Sequence, residues 1–115
     1  MEKIVYKILA REVWNSAVSA GEFHGSPDDV RDGFIHLSTG DQLDGTAARH
    51  FKGVTDLVLV AFDTEHLGPA LKWEPSRGGA LFPHLYAPLP AAAALSVSAM
   101  PLGPDGVPRA SGDNY

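Results

Sequence analysis

The chain has 115 residues, a net charge of −5 and no cysteine, with 44% hydrophobic and 20% charged residues. That length bounds one compact domain able to bury its own core, and the missing thiols remove disulfides, thiolate catalysis and Cys-based zinc sites. The nine Lys and Arg residues are scattered, so there is no basic stripe for duplex nucleic acid, and no apolar run approaches a bilayer-spanning length. The Met1-Glu2-Lys3-Ile4 start enters a short charged-apolar alternation with no signal-peptide core, so the expected location is cytoplasmic.

Lys3 to Ala10 reads as a strand, with Tyr6 and Ile8 on one face and Val5 and Leu9 on the other, the second face interrupted by Lys7. Arg11 to Ala20 reads as an amphipathic helix carrying Val13, Trp14, Ala17 and Val18, stopped by Gly21. Ser26-Pro27-Asp28-Asp29 is a helix start of one or two turns that Gly33 ends. Phe34 to Ser38 is a strand, and Thr39 with Gln42 has capping-box spacing ahead of a helix with Leu43, Ala47 and Phe51 four residues apart. Gly45 weakens that helix by about 1 kcal/mol relative to alanine. Leu57-Val58-Leu59-Val60-Ala61-Phe62 predicts a strand covered on both faces, at the centre of the core. Leu71 to Glu74 is a short strand stopped by Pro75, and Ser76 to Gly79 a mobile loop. Phe82 to Tyr86 is extended, with Pro83 pointing to an edge or irregular position. Ala92 to Met100 fits a last strand or a weak helix. From Pro101 on, Pro, Gly and polar residues predict a fraying tail. The expectation is α+β: a small mixed, largely antiparallel sheet with two helices against it, residues 1–102 forming the domain and 103–115 a flexible tail.

Two strands repeat one pattern. Phe34-x-His36-x-Ser38 and Phe82-x-His84-x-Tyr86 each put an aromatic, an imidazole and a hydroxyl on one face, while Ile35, Leu37, Pro83 and Leu85 face the other way. An apolar wall with a few placed polar groups is what a small-molecule cleft needs, although half-buried structural histidines produce the same spacing. In Leu71-Lys72-Trp73-Glu74, Lys72 and Glu74 share a face; Glu74 fits either a solvated edge-strand ion pair or a carboxylate that orients a hydroxyl or stabilises a developing cation. Lys7 fits either a stem snorkelling to water or a cleft cation, and Arg77 either an idle loop residue or an anion clamp. The phosphate-binding glycine motifs, a G-x-S-x-G elbow and close paired histidine spacing are all missing. A metal site built from distant His and Glu residues stays open.

Taken together, Tyr6-Lys7-Ile8 with Trp14 and Ala17, Gly33-Phe34-Ile35-His36-Leu37-Ser38, Gln42 with Ala47-Ala48-Arg49-His50-Phe51, Leu57-Val58-Leu59, Leu71-Lys72-Trp73-Glu74 and Phe82-Pro83-His84-Leu85-Tyr86 resemble the bacterial family called domain of unknown function 952. The likeness runs from Ile4 to about Leu102. The family has no established activity and is grouped by fold with ADP-ribosyltransferase-like proteins. That grouping implies a split sheet with a cleft that takes NAD. It would place Lys7, or its strand, at the cleft, His36 and Ser38 on the next strand, and Glu74 as the acid. Of the Ser-Thr-Ser strand motif of those transferases, this chain shows only Ser38-Thr39.

Two readings follow. In one, the protein binds or processes NAD, ADP-ribose or a related nucleotide: Glu74 and His36 are catalytic, His84 holds ribose or phosphate oxygens, and Phe34, Phe82 and Tyr86 form a stacking wall. In the other, the cleft is a non-catalytic module in which Lys7, Arg77 and the two histidines hold a small anionic metabolite or peptide.

Overall fold

The computed structural model describes residues 2–110. In chain order the elements are β1 (Ile4–Ala10), α1 (Arg11–Ala20), β2 (Glu22–Phe23), α2 (Pro27–Asp32), β3 (Ile35–His36), α3 (Leu43–His50), β4 (Leu57–Asp63), α4 (Thr64–Leu67), β5 (Leu71–Pro75), β6 (Leu81–Leu85), β7 (Leu89–Pro90) and β8 (Ala94–Ala99). They make two three-stranded sheets, ordered β1-β4-β8 and β3-β6-β5, and a two-residue ribbon of β2 with β7. Every strand pairing among the described residues is antiparallel, so the fold is α+β and the expectation of a mixed sheet is corrected to a purely antiparallel one. Among the same residues no helix is long and apolar enough to cross a membrane.

The sheet centres follow from hydrophobic burial. Leu57 to Phe62 are all buried, as a six-residue apolar run requires, and β4 sits between β1 and β8 with a core on each side. On one side Val58, Val60 and Phe62 pack with Val5, Leu9, Trp14 and Ala17, and Trp14 meets Phe62 edge-on at 6.3 Å. On the other, Leu57 and Leu59 pack with Ile8, Ala47 and Met100. Helix α1 spans the expected residues, and α2 starts in the capping box that Ser26 and its third helical residue, Asp29, complete. The Thr39–Gln42 box is also formed, but it opens a turn of 3-10 helix, Gly40–Gln42, that leads into α3.

The two sheets are joined at one point. Tyr6 and Ser38 exchange backbone hydrogen bonds of 2.8 and 3.0 Å, which brings the middle of β1 beside the end of β3. This junction positions the site.

Two expectations are corrected. Pro83 points to an edge or irregular position; the edge alternative fails, because β6 is the central strand of its sheet. The Pro83 carbonyl accepts from Leu37 N at 3.0 Å, so its main-chain edge faces the end of β3, where the ladder is already finishing and a missing N–H costs little. The second concerns the tail. Residues 103–110 fold back on the body: Gly103 N donates to Val107 O, Gly53 N donates to Gly106 O, and Val107 and Pro108 are buried. Val107 completes the lower core with Met100, Leu57 and Ile8, which is why this polar-looking stretch is held. The remainder of the expected tail, 111–115, lies outside the described residues.

Candidate functional site

A cavity of about 340 Å³ lies at the junction of the two sheets, lined by Tyr6, Lys7 and Ile8 of β1, Asp28, Asp29, Arg31 and Asp32 of α2, His36 and Ser38 on and beyond β3, Thr46, Arg49 and His50 of α3, and Arg77, Phe82 and His84 around β6.

Its floor is ionic. Lys7 interrupts the apolar face of β1 and is 8% exposed. A buried ammonium needs a partner, and Asp29 supplies one. Lys7 Nζ lies 3.1 Å from Asp29 Oδ2 and 3.3 Å from Oδ1, and donates to the His36 carbonyl at 2.9 Å. The snorkelling reading of Lys7 is therefore overturned. Burial pushes the Lys7 ammonium below its usual pKa, against the pull of Asp29. The Asp29 carboxylate also accepts from Ser26 N at 2.9 Å, His36 N at 3.1 Å and His36 Nδ1 at 2.7 Å. Burial acts to raise its pKa, but the Lys7 charge and these hydrogen bonds outweigh it and hold the carboxyl below the usual range. One residue thus caps α2, neutralises β1 and fixes β3.

His36 is bracketed by carboxylates, with Nδ1 on Asp29 and Nε2 3.0 Å from Asp32 Oδ2. An imidazole donates at both nitrogens only when doubly protonated. Arg31 pairs in turn with Asp28 at 3.1 Å and Asp32 at 3.0 Å, so the carboxylates of α2 are all engaged.

The opposite wall differs. Ser38 Oγ and Thr46 Oγ1 are 3.0 Å apart, and Arg77 Nη2 donates to Thr46 Oγ1 at 3.4 Å. The Arg77 guanidinium sits 4.9 Å over the Phe82 ring, which orients it. Gly45 makes room for it: a Cβ there would lie 2.9 Å from Arg77 Nη2. The glycine that weakens α3 is the one the arginine needs. Among the described residues no carboxylate pairs with Arg49 or Arg77. Burial and the neighbouring charges of Arg49 and Arg77 push the His50 imidazole below its ordinary pKa.

The shared polar face is formed as expected. Phe34 stacks on His84 at 4.0 Å and 24°, and packs against His36 at 4.6 Å and Tyr86 at 5.2 Å; the two imidazoles are 5.6 Å apart. Lys7, His36, Ser38, Arg77, Phe82 and His84 all line the cavity. Phe34 and Tyr86 do not; they border a more open hollow on the far side of the aromatic cluster. Glu74 is also outside the lining, because its Oε1 is engaged from behind by His84 Nδ1 at 2.8 Å and Tyr86 OH at 2.7 Å. The Tyr86 and His84 hydrogen bonds hold the Glu74 carboxyl below its usual pKa, and the bond to Glu74 raises that of the Tyr86 phenol. From that position Glu74 is linked to the cavity through His84. Among the described residues no three His, Asp or Glu side chains converge as a metal-ligand set.

Asp29, Asp32, Arg49 and His50 were not among the expected site residues. The signal for Asp29 was available: a lysine in an apolar strand face demands a buried acid, and Asp29 stands at the capping-box position that turns a carboxylate inward. Arg49 and His50 had only their place at the end of α3 and in the Ala47-Ala48-Arg49-His50-Phe51 group that carries the family resemblance.

No curated protein matches the chain. The crystal structure of protein CC0527 from Caulobacter crescentus is 51% identical, superposes with a TM-score of 0.89 and covers 92% of this chain and 93% of that one. The solution NMR structure of the same protein gives a TM-score of 0.83 at 51% identity, over 91% and 90% of the two chains. Residues 8–97 match the family described as protein of unknown function (DUF952), and the chain belongs to that family.

Proposed function

We propose that the cavity binds a small anionic ligand of the nucleotide or ADP-ribose class, with its phosphate on Arg49 and Arg77. The observation that carries this reading is the contrast between the walls. Every carboxylate of α2 is matched by a cation or imidazole, whereas two guanidiniums, the Ser38 and Thr46 hydroxyls and His50 border the same space with no anion among them. Guanidinium forks and hydroxyls are the usual donors to phosphate. The volume of about 340 Å³ is at the lower end of the range for ligand pockets. Its place between two small antiparallel sheets supports the ADP-ribosyltransferase-like analogy.

Processing of NAD is a second reading, favoured by the Asp28 and Asp32 carboxylates on the cavity wall. A carboxylate near the ribose would stabilise oxocarbenium character as the bond to nicotinamide breaks.

Titration calorimetry with ADP-ribose, NAD and inorganic phosphate tests the first reading. Arg49→Ala and Arg77→Ala should each weaken binding by about tenfold, the loss of one charge-assisted hydrogen bond. No heat from any of the three at millimolar concentration would sink the reading. Nicotinamide release from NAD, lost in Asp32→Asn, would establish the second.

A further inference from the structure

The anion wall says where a phosphate goes but not what the rest of the ligand must carry. His84 does. The residue is 5% exposed, with one ring face against Phe34 and Nδ1 committed to Glu74. Glu74 Oε1 also receives the Tyr86 hydroxyl, and a carboxylate can only accept. The ring proton of a neutral His84 is therefore drawn to Nδ1, which leaves Nε2 with a bare lone pair. Among the described residues no buried side-chain nitrogen or oxygen lacks a partner. None of the described residues hydrogen-bonds Nε2, so that nitrogen is open to solvent, and His84 lines the cavity.

From this geometry we infer that His84 Nε2 is a fixed hydrogen-bond acceptor inside the cavity, held in that tautomer by Glu74 and Tyr86 as positioning residues, and that the ligand carries a free hydroxyl near its phosphate, as in a ribose or polyol phosphate. The inference rests on the anion-binding reading and specifies its ligand. His36 cannot play this part, because both its nitrogens face carboxylates. The guanidiniums of the cationic wall only donate, and the Ser38 and Thr46 hydroxyls there already bond each other. His84 Nε2 is thus an acceptor left open to a ligand hydroxyl, and it favours a hydroxylated phosphate over a plain one.

The test has two arms. In the first, nitrogen NMR of ring-labelled histidine locates the proton in the ligand-free protein near neutral pH. His84 should carry it on Nδ1, the two tautomers should mix in Glu74→Ala, and Glu74→Gln, which keeps an acceptor oxygen, should restore the wild-type pattern. A merely structural glutamate would leave the tautomer where it was. In the second arm, AMP is compared with 2′,3′-dideoxy-AMP, which shares the phosphate and lacks the hydroxyls. AMP should bind about fivefold more tightly to the wild type, the net worth of one hydrogen bond. In His84→Asn, which keeps a donor for Glu74 but has no atom at Nε2, the ratio should fall to about one. A proton on Nε2 of free His84, or equal binding of the two nucleotides by the wild type, overturns the inference. Binding of inorganic phosphate alongside such equality would leave the anion-binding reading standing, whereas silence from phosphate and both nucleotides would end the two together.

Discussion

Gly45→Ala separates stability from binding in one substitution. Gly45 is the third residue of α3, in an exposed position of an eight-residue helix. Replacing glycine with alanine in a helix interior stabilises by about 1 kcal/mol. Against this, the new methyl would lie 2.9 Å from Arg77 Nη2, 3.5 Å from Cζ and 3.9 Å from Nε. Ordinary contact at the nearest atom requires the guanidinium to retreat by several tenths of an ångström. The retreat costs little, because Arg77 ends a flexible side chain and forfeits a long hydrogen bond of 3.4 Å to Thr46 and part of its packing on Phe82. That packing is worth about 0.5–1 kcal/mol at a partly exposed site. Folding stability should therefore hold or rise by up to about 1 kcal/mol. Binding should fall, because the displaced guanidinium no longer meets the anion; a lost charge-assisted hydrogen bond is worth about 1.5–3 kcal/mol, at least tenfold in affinity. Urea unfolding and phosphate or ADP-ribose titration on the same sample give both numbers. Affinity within twofold of wild type would show that the placement of Arg77 does not make the site. A destabilised variant would show that Arg77 is held far more firmly than its contacts imply.

Asp29→Asn should destabilise by about 3–5 kcal/mol, since it leaves a buried lysine without its counter-charge; denaturant midpoints measure this, and a loss below about 1 kcal/mol would mean water reaches Lys7. Because the Asp29 pKa is lowered on folding, its contribution is complete above the ordinary carboxylate range and disappears as pH falls through the depressed value. Stability of the wild type should accordingly drop on acidification more steeply than that of Asp29→Asn. His50, whose pKa is lowered by burial and by Arg49 and Arg77, should titrate at higher pH once phosphate is bound, because the anion offsets the two arginines; proton NMR of its ring gives the shift, and no movement would place the anion elsewhere. Val107→Ala should cost about 1.5 kcal/mol, two methyl groups at the going rate for burial, and an unchanged melting temperature would mean that residues 103–110 pack on the body without stabilising it.

Much of the fold is legible because hydrophobic period and punctuation agree. Helix α1, the Ser26 and Thr39 boxes and the buried run of β4 are each specified within a few neighbouring residues. The failures are non-local. Pro83 argues for an edge when read alone, and only the early end of β3 makes a central place tolerable. Gly103 to Arg109 reads as a tail until Val107 is seen to fill a gap beside Met100 and Leu57. In the site, strand alternation gives the face shared by His36 and His84 and the one shared by Lys72 and Glu74; it does not show that Glu74 bonds His84 and stays outside the cavity lining. Alternation fixes which way a side chain leaves the sheet; it does not say whether a neighbour stands between it and the cavity.

The two walls also differ in what they cost the fold. Lys7, Asp29 and His36 form a closed network whose members satisfy one another, and such a network is rigid because removing Lys7 or Asp29 strands a buried charge. It ties β1, α2 and β3 together at the sheet junction, so the floor of the cavity is set before any ligand arrives. Arg49 and Arg77 gain nothing comparable from folding: one has no carboxylate and the other rests on a ring and a long hydrogen bond. Two cations near one imidazole are unfavourable by mutual repulsion: the His50 pKa, lowered first by burial, is lowered further by the charges of Arg49 and Arg77. A bound anion relieves that repulsion, whereas on the carboxylate wall it would meet charges already matched. On the proposed reading, the rigid floor and the uncompensated wall would together select an anion by charge and leave His84, bonded to Glu74, to select among anions by what else they carry.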